Sequence, residues 1–159
     1  MKRLLLALGS AALVATAPAY AQTTAAHPVV QLKTSQGGIR VELYPEKAPK
    51  TVANFDEKPT RAAIPLESRN GLKNVAGTIA MARTSDPNSA KAQFFINTVD
   101  NANLDYPNPD GNGYAVFGKV VSGMDVVKKI EATPTTSRGS MRDVPAKPIT
   151  IDSASVVGK

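Results

Sequence analysis

The chain has 159 residues, 42% of them hydrophobic, with 19 Lys and Arg against 13 Asp and Glu, a net charge of +6, one His and no Cys. The absence of Cys excludes a disulfide framework, thiol chemistry and thiolate metal sites, and the single His27 leaves no basis for a Ser-His-Asp triad or a His-based metal centre. The basic residues are scattered singly or in pairs, without a clustered stripe or aromatic platforms, so a nucleic-acid partner is not expected.

Residues 1–21, MKRLLLALGSAALVATAPAYA, carry Lys2 and Arg3, an apolar run from Leu4 to Ala17 and the small-x-small ending Ala19-Tyr20-Ala21. This is the pattern of a secretory signal peptide cleaved after Ala21, too short before Pro18 for a membrane anchor. A periplasmic or secreted location is expected, with no membrane contact after cleavage. Residues 22–28 read as a linker, with His27 in a stretch prone to fray, and residues 29–159 as one domain.

VVQLKT (29 to 34) and GIRVELY (38 to 44) are rich in β-branched residues and predict two antiparallel strands across the turn SQGG. KAPKTVANF then starts a helix at Pro49, with Ala48, Val52 and Phe55 on one face, but Asp56, Glu57, Lys58 and Pro59 stop it after barely two turns. A long irregular region follows. TIAMA (78 to 82), QFFINT (93 to 98) and YAVFGKVV (114 to 121) predict three more strands. Gly123 introduces a second helix, MDVVKKIEA, with Asp125 near its start and Lys128 and Lys129 near its end, and KPITIDSASVV gives the last strand. Strands without βαβ alternation, plus two helices far apart, predict an antiparallel barrel or sandwich capped by helices.

Within AQFFIN, Phe94 and Ile96 share one strand face, and Gln93 and Phe95 share the other. Either the strand is packed on both sides, or Gln93 and Phe95 stand in an apolar pocket with one placed hydrogen-bonding group.

The series GTIAMARTSDPNSAKAQFFINTVDNANLD followed by GYAVFGKVVSGMDVVKKI, together with VELYPEKAPKTVANF, resembles the cyclophilins, the barrel-type peptidyl-prolyl cis-trans isomerases, in their exported bacterial form. The resemblance runs from about Val29 to Val157. It implies a mainly β fold, a closed eight-stranded antiparallel barrel with a helix at each end. It also implies a shallow apolar proline pocket on the outside: Met81, Phe95 and Leu104 lining it, Gln93 and Ala82 contacting the peptide backbone, and Tyr114 at the rim where many relatives have a His. Asn103 takes a position that is commonly aromatic.

By the same resemblance, this chain lacks the rest of the first helix and about two barrel strands between TVANF and EKPTRAAIP, including the FHR and FMIQGG motifs. The barrel is therefore expected to be incomplete, with two edges that open or re-pair. The X-Pro bond turns slowly because amide resonance holds it planar, and in the family the Arg of FHR donates a hydrogen bond toward the proline nitrogen as the amide twists. No residue here fills that catalytic position: Arg61, Arg69 and Arg83 lie in loops or flank a strand and read as solvated surface charges. The expected partners are proline-containing polypeptides, and the expected function is folding assistance with impaired catalysis, or non-catalytic proline-peptide binding. No cofactor is expected, and the chain is expected to be a monomer unless its barrel edges associate.

Overall fold

The computed structural model describes residues 27–55 and 62–158; the signal-peptide pattern, most of the linker and Arg61 lie outside them. The two β-branched runs form β1 (Val29–Thr34) and β2 (Gly37–Leu43), paired antiparallel with Val30 opposite Val41 and Leu32 opposite Ile39. Those four side chains face inward and are at most 3% exposed, as the alternation requires. Strands β3 (Thr78–Met81), β4 (Phe94–Ile96), β5 (Val116–Ser122) and β8 (Ile151–Gly158) complete a six-stranded sheet in the order β4-β3-β5-β2-β1-β8. All six strands expected from the sequence belong to it. It is one open, mainly antiparallel sheet, with β4 and β8 as its edges. The sheet is an incomplete barrel, as expected: its two edges remain unpaired with each other.

Helix α1 (Pro49–Phe55) has no acidic residue in its first turn. Glu67 supplies one from another part of the chain: its carboxylate accepts from the Lys50 N–H at 3.2 Å, the Thr51 N–H at 2.9 Å and the Thr51 hydroxyl at 2.7 Å. These bonds satisfy orphan N–H groups and place a negative charge at the positive end of the helix. At the other end, Phe55 packs edge-on against Phe94 at 5.4 Å between ring centroids and lies 5.3 Å from Phe117, closing one end of the core. Asn54, 3% exposed, has no hydrogen-bond partner for its side-chain nitrogen or oxygen among the described residues.

β5 carries Phe117 at 0% exposure and passes between β2 and β3 through Gly118, where any side chain would strike the Glu42 carbonyl. Gly123, at a φ of 87°, makes the left-handed turn into α2 (Met124–Glu131). Asp125 falls in the first turn of α2 and Lys128 and Lys129 in the last, as the sequence predicts. Val127 is buried against the core.

Two features differ from the sequence reading. A separate hairpin, β6 (Thr135–Arg138) with β7 (Met141–Pro145), occupies a stretch in which no strand was expected. Every residue of β6 is exposed, so no apolar alternation marked it. His27 is anchored rather than frayed: its ring lies 3.5 Å from the Glu42 carboxylate, 3.3 Å from that of Glu46, and edge-on to Tyr44. The neighbouring Pro28 carbonyl accepts from Leu43 N–H, tying the end of the linker to β2.

Candidate functional site

The candidate residues come together where β3, β4 and β5 begin or end. Ala80 sits opposite Phe95 and Met81 opposite Phe94 in the β3–β4 ladder, which the Ala82 N–H extends by donating to the Gln93 carbonyl at 2.9 Å. On the other side of β3, Met81 N–H donates to the Ala115 carbonyl at 3.1 Å, bringing Tyr114 alongside. Tyr114 N–H in turn donates to the Leu104 carbonyl at 2.9 Å, so the single 3-10 turn Ala102–Leu104 is fixed to the same place.

Phe95 and Tyr114 meet edge-to-face, 5.6 Å between centroids at 78°, a favoured aromatic arrangement. Both are half-buried. Gln93 is exposed and, with Ala82, lines a hollow of about 520 Å³ that continues past Arg83, Ser89 and Lys91. All three residues of β4 are half-buried: Phe94 packs against Phe55 and the core, and Phe95 meets Tyr114. Met81 differs: at 2% exposure it is part of the core and reaches no surface. Asn103 is exposed and contributes no aromatic wall.

Arg83 corrects the expectation of a solvated charge. Its side chain is 2% exposed. Nε donates to the Gly113 carbonyl at 3.0 Å, one terminal nitrogen to the Thr84 carbonyl at 2.9 Å, and the other to Asp110 Oδ1 at 2.7 Å. The guanidinium lies 4.7 Å from the centroid of the Tyr114 ring, a cation–π stack that holds the phenol against Phe95. The hydrogen bond from Arg83 keeps the Asp110 carboxyl below its ordinary value. Arg69 remains exposed, with its guanidinium 4.6 Å over the Tyr106 ring.

Behind the aromatic pair lies a buried polar network that no motif announced. Asn74, 1% exposed, donates through its side-chain amide to the Leu104 carbonyl at 3.2 Å, to Asp105 Oδ1 at 3.1 Å and to the Tyr114 carbonyl at 3.4 Å. Its backbone N–H donates to the same Asp105 oxygen at 2.7 Å. Asn97, also 1% exposed, donates to Asn74 Oδ1 at 3.2 Å and to the Thr78 hydroxyl at 2.8 Å. One amide therefore sets the spacing between the turn that carries Leu104 and the strand entry that carries Tyr114. A polar segment such as NGLKNVAG gives some hint of a turn, but its asparagine's partners lie roughly thirty residues away in sequence, beyond the reach of any local pattern.

Known proteins resemble this chain in both sequence and fold. The family model for cyclophilin type peptidyl-prolyl cis-trans isomerases matches residues 56–156. The chain is 41% identical to peptidyl-prolyl cis-trans isomerase A of Dickeya dadantii over 191 positions, 99% of each chain, and 40% identical to a peptidyl-prolyl cis-trans isomerase of Acinetobacter baylyi over 188, covering 98% and 96%. Both alignments are longer than the 159 residues available here, so these relatives carry chain that this protein lacks. Among solved structures, a cyclophilin type isomerase of Cryptosporidium parvum superposes with a TM-score of 0.65 over 84% of this chain and 99% of its own, at 19% identity. A second structure of that protein, determined in the presence of the dipeptide Ala-Pro, gives 0.63. From the sheet and helices to the sequence itself, the chain belongs to the cyclophilin-type peptidyl-prolyl cis-trans isomerase family.

Proposed function

We propose that this protein is a prolyl isomerase by descent whose substrates are X-Pro bonds in exported polypeptides, and whose turnover is strongly reduced. The amino-terminal pattern of Lys2, Arg3, an apolar run and Ala19-Tyr20-Ala21 supports export to the periplasm. The semi-open face formed by Ala82, Gln93, Phe95, Leu104 and Tyr114 supports proline-peptide binding: an apolar ring pair takes the pyrrolidine, and a strand-end amide takes the flanking backbone. Met81 contributes from beneath, as a core residue.

The reduction in turnover rests on Arg83. Rotation of the prolyl amide is accelerated by whatever localises the nitrogen lone pair in the twisted state, and a cationic donor aimed at that nitrogen does so. The guanidinium beside the Phe95–Tyr114 pair spends an N–H from each of its nitrogens on protein oxygens and is 2% exposed. It holds the site together and offers little to a substrate. By comparison with other preorganised donors, the missing one costs about a hundredfold to a thousandfold in rate. The test is a proline-peptide isomerisation assay on this chain beside the Dickeya dadantii relative. Turnover within about tenfold of the relative would sink the proposal.

The Phe95–Tyr114 contact supports a second reading, a proline-peptide-binding module without catalysis. NMR titration with a proline peptide distinguishes the two: shifts at Gln93, Phe95 and Tyr114 without exchange broadening of the cis and trans peptide signals favour the module.

A further inference from the structure

The two edges of the sheet open onto one space. Among the described residues, β4 is paired only with β3 and β8 only with β1, so alternate N–H and C=O groups on the far side of each strand have no ladder partner. Between these edges lies a groove of about 420 Å³, with walls made by Phe94 and Ile96 of β4, Leu32 of β1, Ile130 of α2 and Ile151 of β8; Glu131 is the one charged residue on it. The inward face of β8 is also uncovered. Val156 stands opposite Val30 and therefore shares its face, yet Val30 is 3% exposed and Val156 is 50% exposed.

We propose that this groove takes an extended segment of another polypeptide, apolar at alternate residues, which adds as a strand to the free edges and seats its apolar side chains on Phe94, Ile96 and Ile151. The chemistry selects this occupant. Unpaired ladder groups recognise backbone in the extended form whatever its sequence, and an apolar wall on one side of that ladder accepts every second side chain. The relatives of greater aligned length carry chain that is missing here, and the absence of two strands leaves the space a strand would fill. The chain's own residues 56–61, DEKPTR, are charged and interrupted by proline, the wrong chemistry for an apolar wall. The proposal does not depend on isomerase activity, and it gives the protein a holding function toward unfolded chains.

The test uses the full-length chain and a synthetic peptide copying the segment of the Dickeya dadantii relative that has no counterpart here, followed by amide hydrogen exchange. The expected result is saturable one-to-one binding with slowed exchange at β4 and β8 together. Binding should weaken about tenfold in Ile151→Lys, a variant that folds because Ile151 is already 49% exposed, and should vanish when the alternate apolar residues of the peptide are replaced by Ser. Binding without slowed exchange at both edges, or unaffected by Ile151→Lys, overturns the proposal. Edges already slow in exchange before peptide is added overturn it as well: concentration-dependent slowing makes a second copy the occupant, and concentration-independent slowing makes it the chain itself.

Discussion

Strands β3 and β8 belong to one sheet and both carry apolar side chains, yet they live in different surroundings. All four residues of β3 are buried between β4 and β5, whereas β8, with eight residues, exposes Ile151, Val156 and Val157 by about half. Part of the difference lies in composition, since β8 carries Asp152, Ser153 and Ser155, and part in the layer opposite. A strand buries its side chains only where something covers them, and β8 faces the side from which the barrel is incomplete. Stability should therefore be concentrated in β2, β3 and β5, and should thin out toward β8.

The largest effect expected from this gradient comes at Phe117, which is fully buried and touches Phe55. Phe117→Ala should cost about 3–5 kcal/mol in urea denaturation, whereas Val156→Ala, on the uncovered face of β8, should cost less than about 1 kcal/mol. Equal losses would break the comparison. Next comes Asn74→Ala, which leaves the Asp105 carboxylate and the Asn97 amide short of partners in a buried place; about 2–3 kcal/mol is expected. Because Asn74 bonds to both the Leu104 and the Tyr114 carbonyls, this variant should also shift their NMR resonances, while Phe117→Ala should leave that pair closer to its native signals.

The covered part of the molecule was the more legible in sequence. GIRVELY alternates because one face is core, VVQLKT and YAVFGKVV are apolar and rich in β-branched residues, and the strands appear where these runs lie. Hairpin β6–β7 buries almost nothing, so TTSR and MRDVP carry no such imprint. Near the candidate site, Gln93, Phe95 and Tyr114 could be nominated from sequence because their motifs are local. Arg83 was misread because its burial depends on Gly113 and Asp110, some thirty residues on, and a charge next to a strand end looks the same whether or not a distant loop folds over it. Resemblance to the family assigns Met81 to the pocket lining, whereas its 2% exposure within the packing of β3 between β4 and β5 makes it a core residue.

A smaller effect is expected from pH. Burial pushes the Asp105 carboxyl up, but hydrogen bonds from Asn74 N–H and its amide, with Lys73 at 3.5 Å, outweigh this and hold it below the ordinary carboxylate range. A folded value below the unfolded one of about 3.9 means that this carboxylate stabilises the fold above that pH, and that the contribution is lost as pH falls through the lowered value. Asp105→Asn should accordingly flatten the acid side of the stability profile. An unchanged acid slope would detach Asp105 from the network.

The smallest effect should come from Val157→Lys. Its side chain is 50% exposed on an edge strand that pairs only with β1 among the described residues, so the substitution removes little buried area and places its charge in water. Lys is a poorer strand former than Val, which costs a few tenths of a kcal/mol, and surface changes of this kind stay within about 0.5 kcal/mol. A thermal melt of Val157→Lys should overlay that of the parent chain. A loss of several degrees would mean that Val157 is covered in solution, and the contrast between β3 and β8 would then reflect a partner layer supplied from elsewhere rather than an exposed edge.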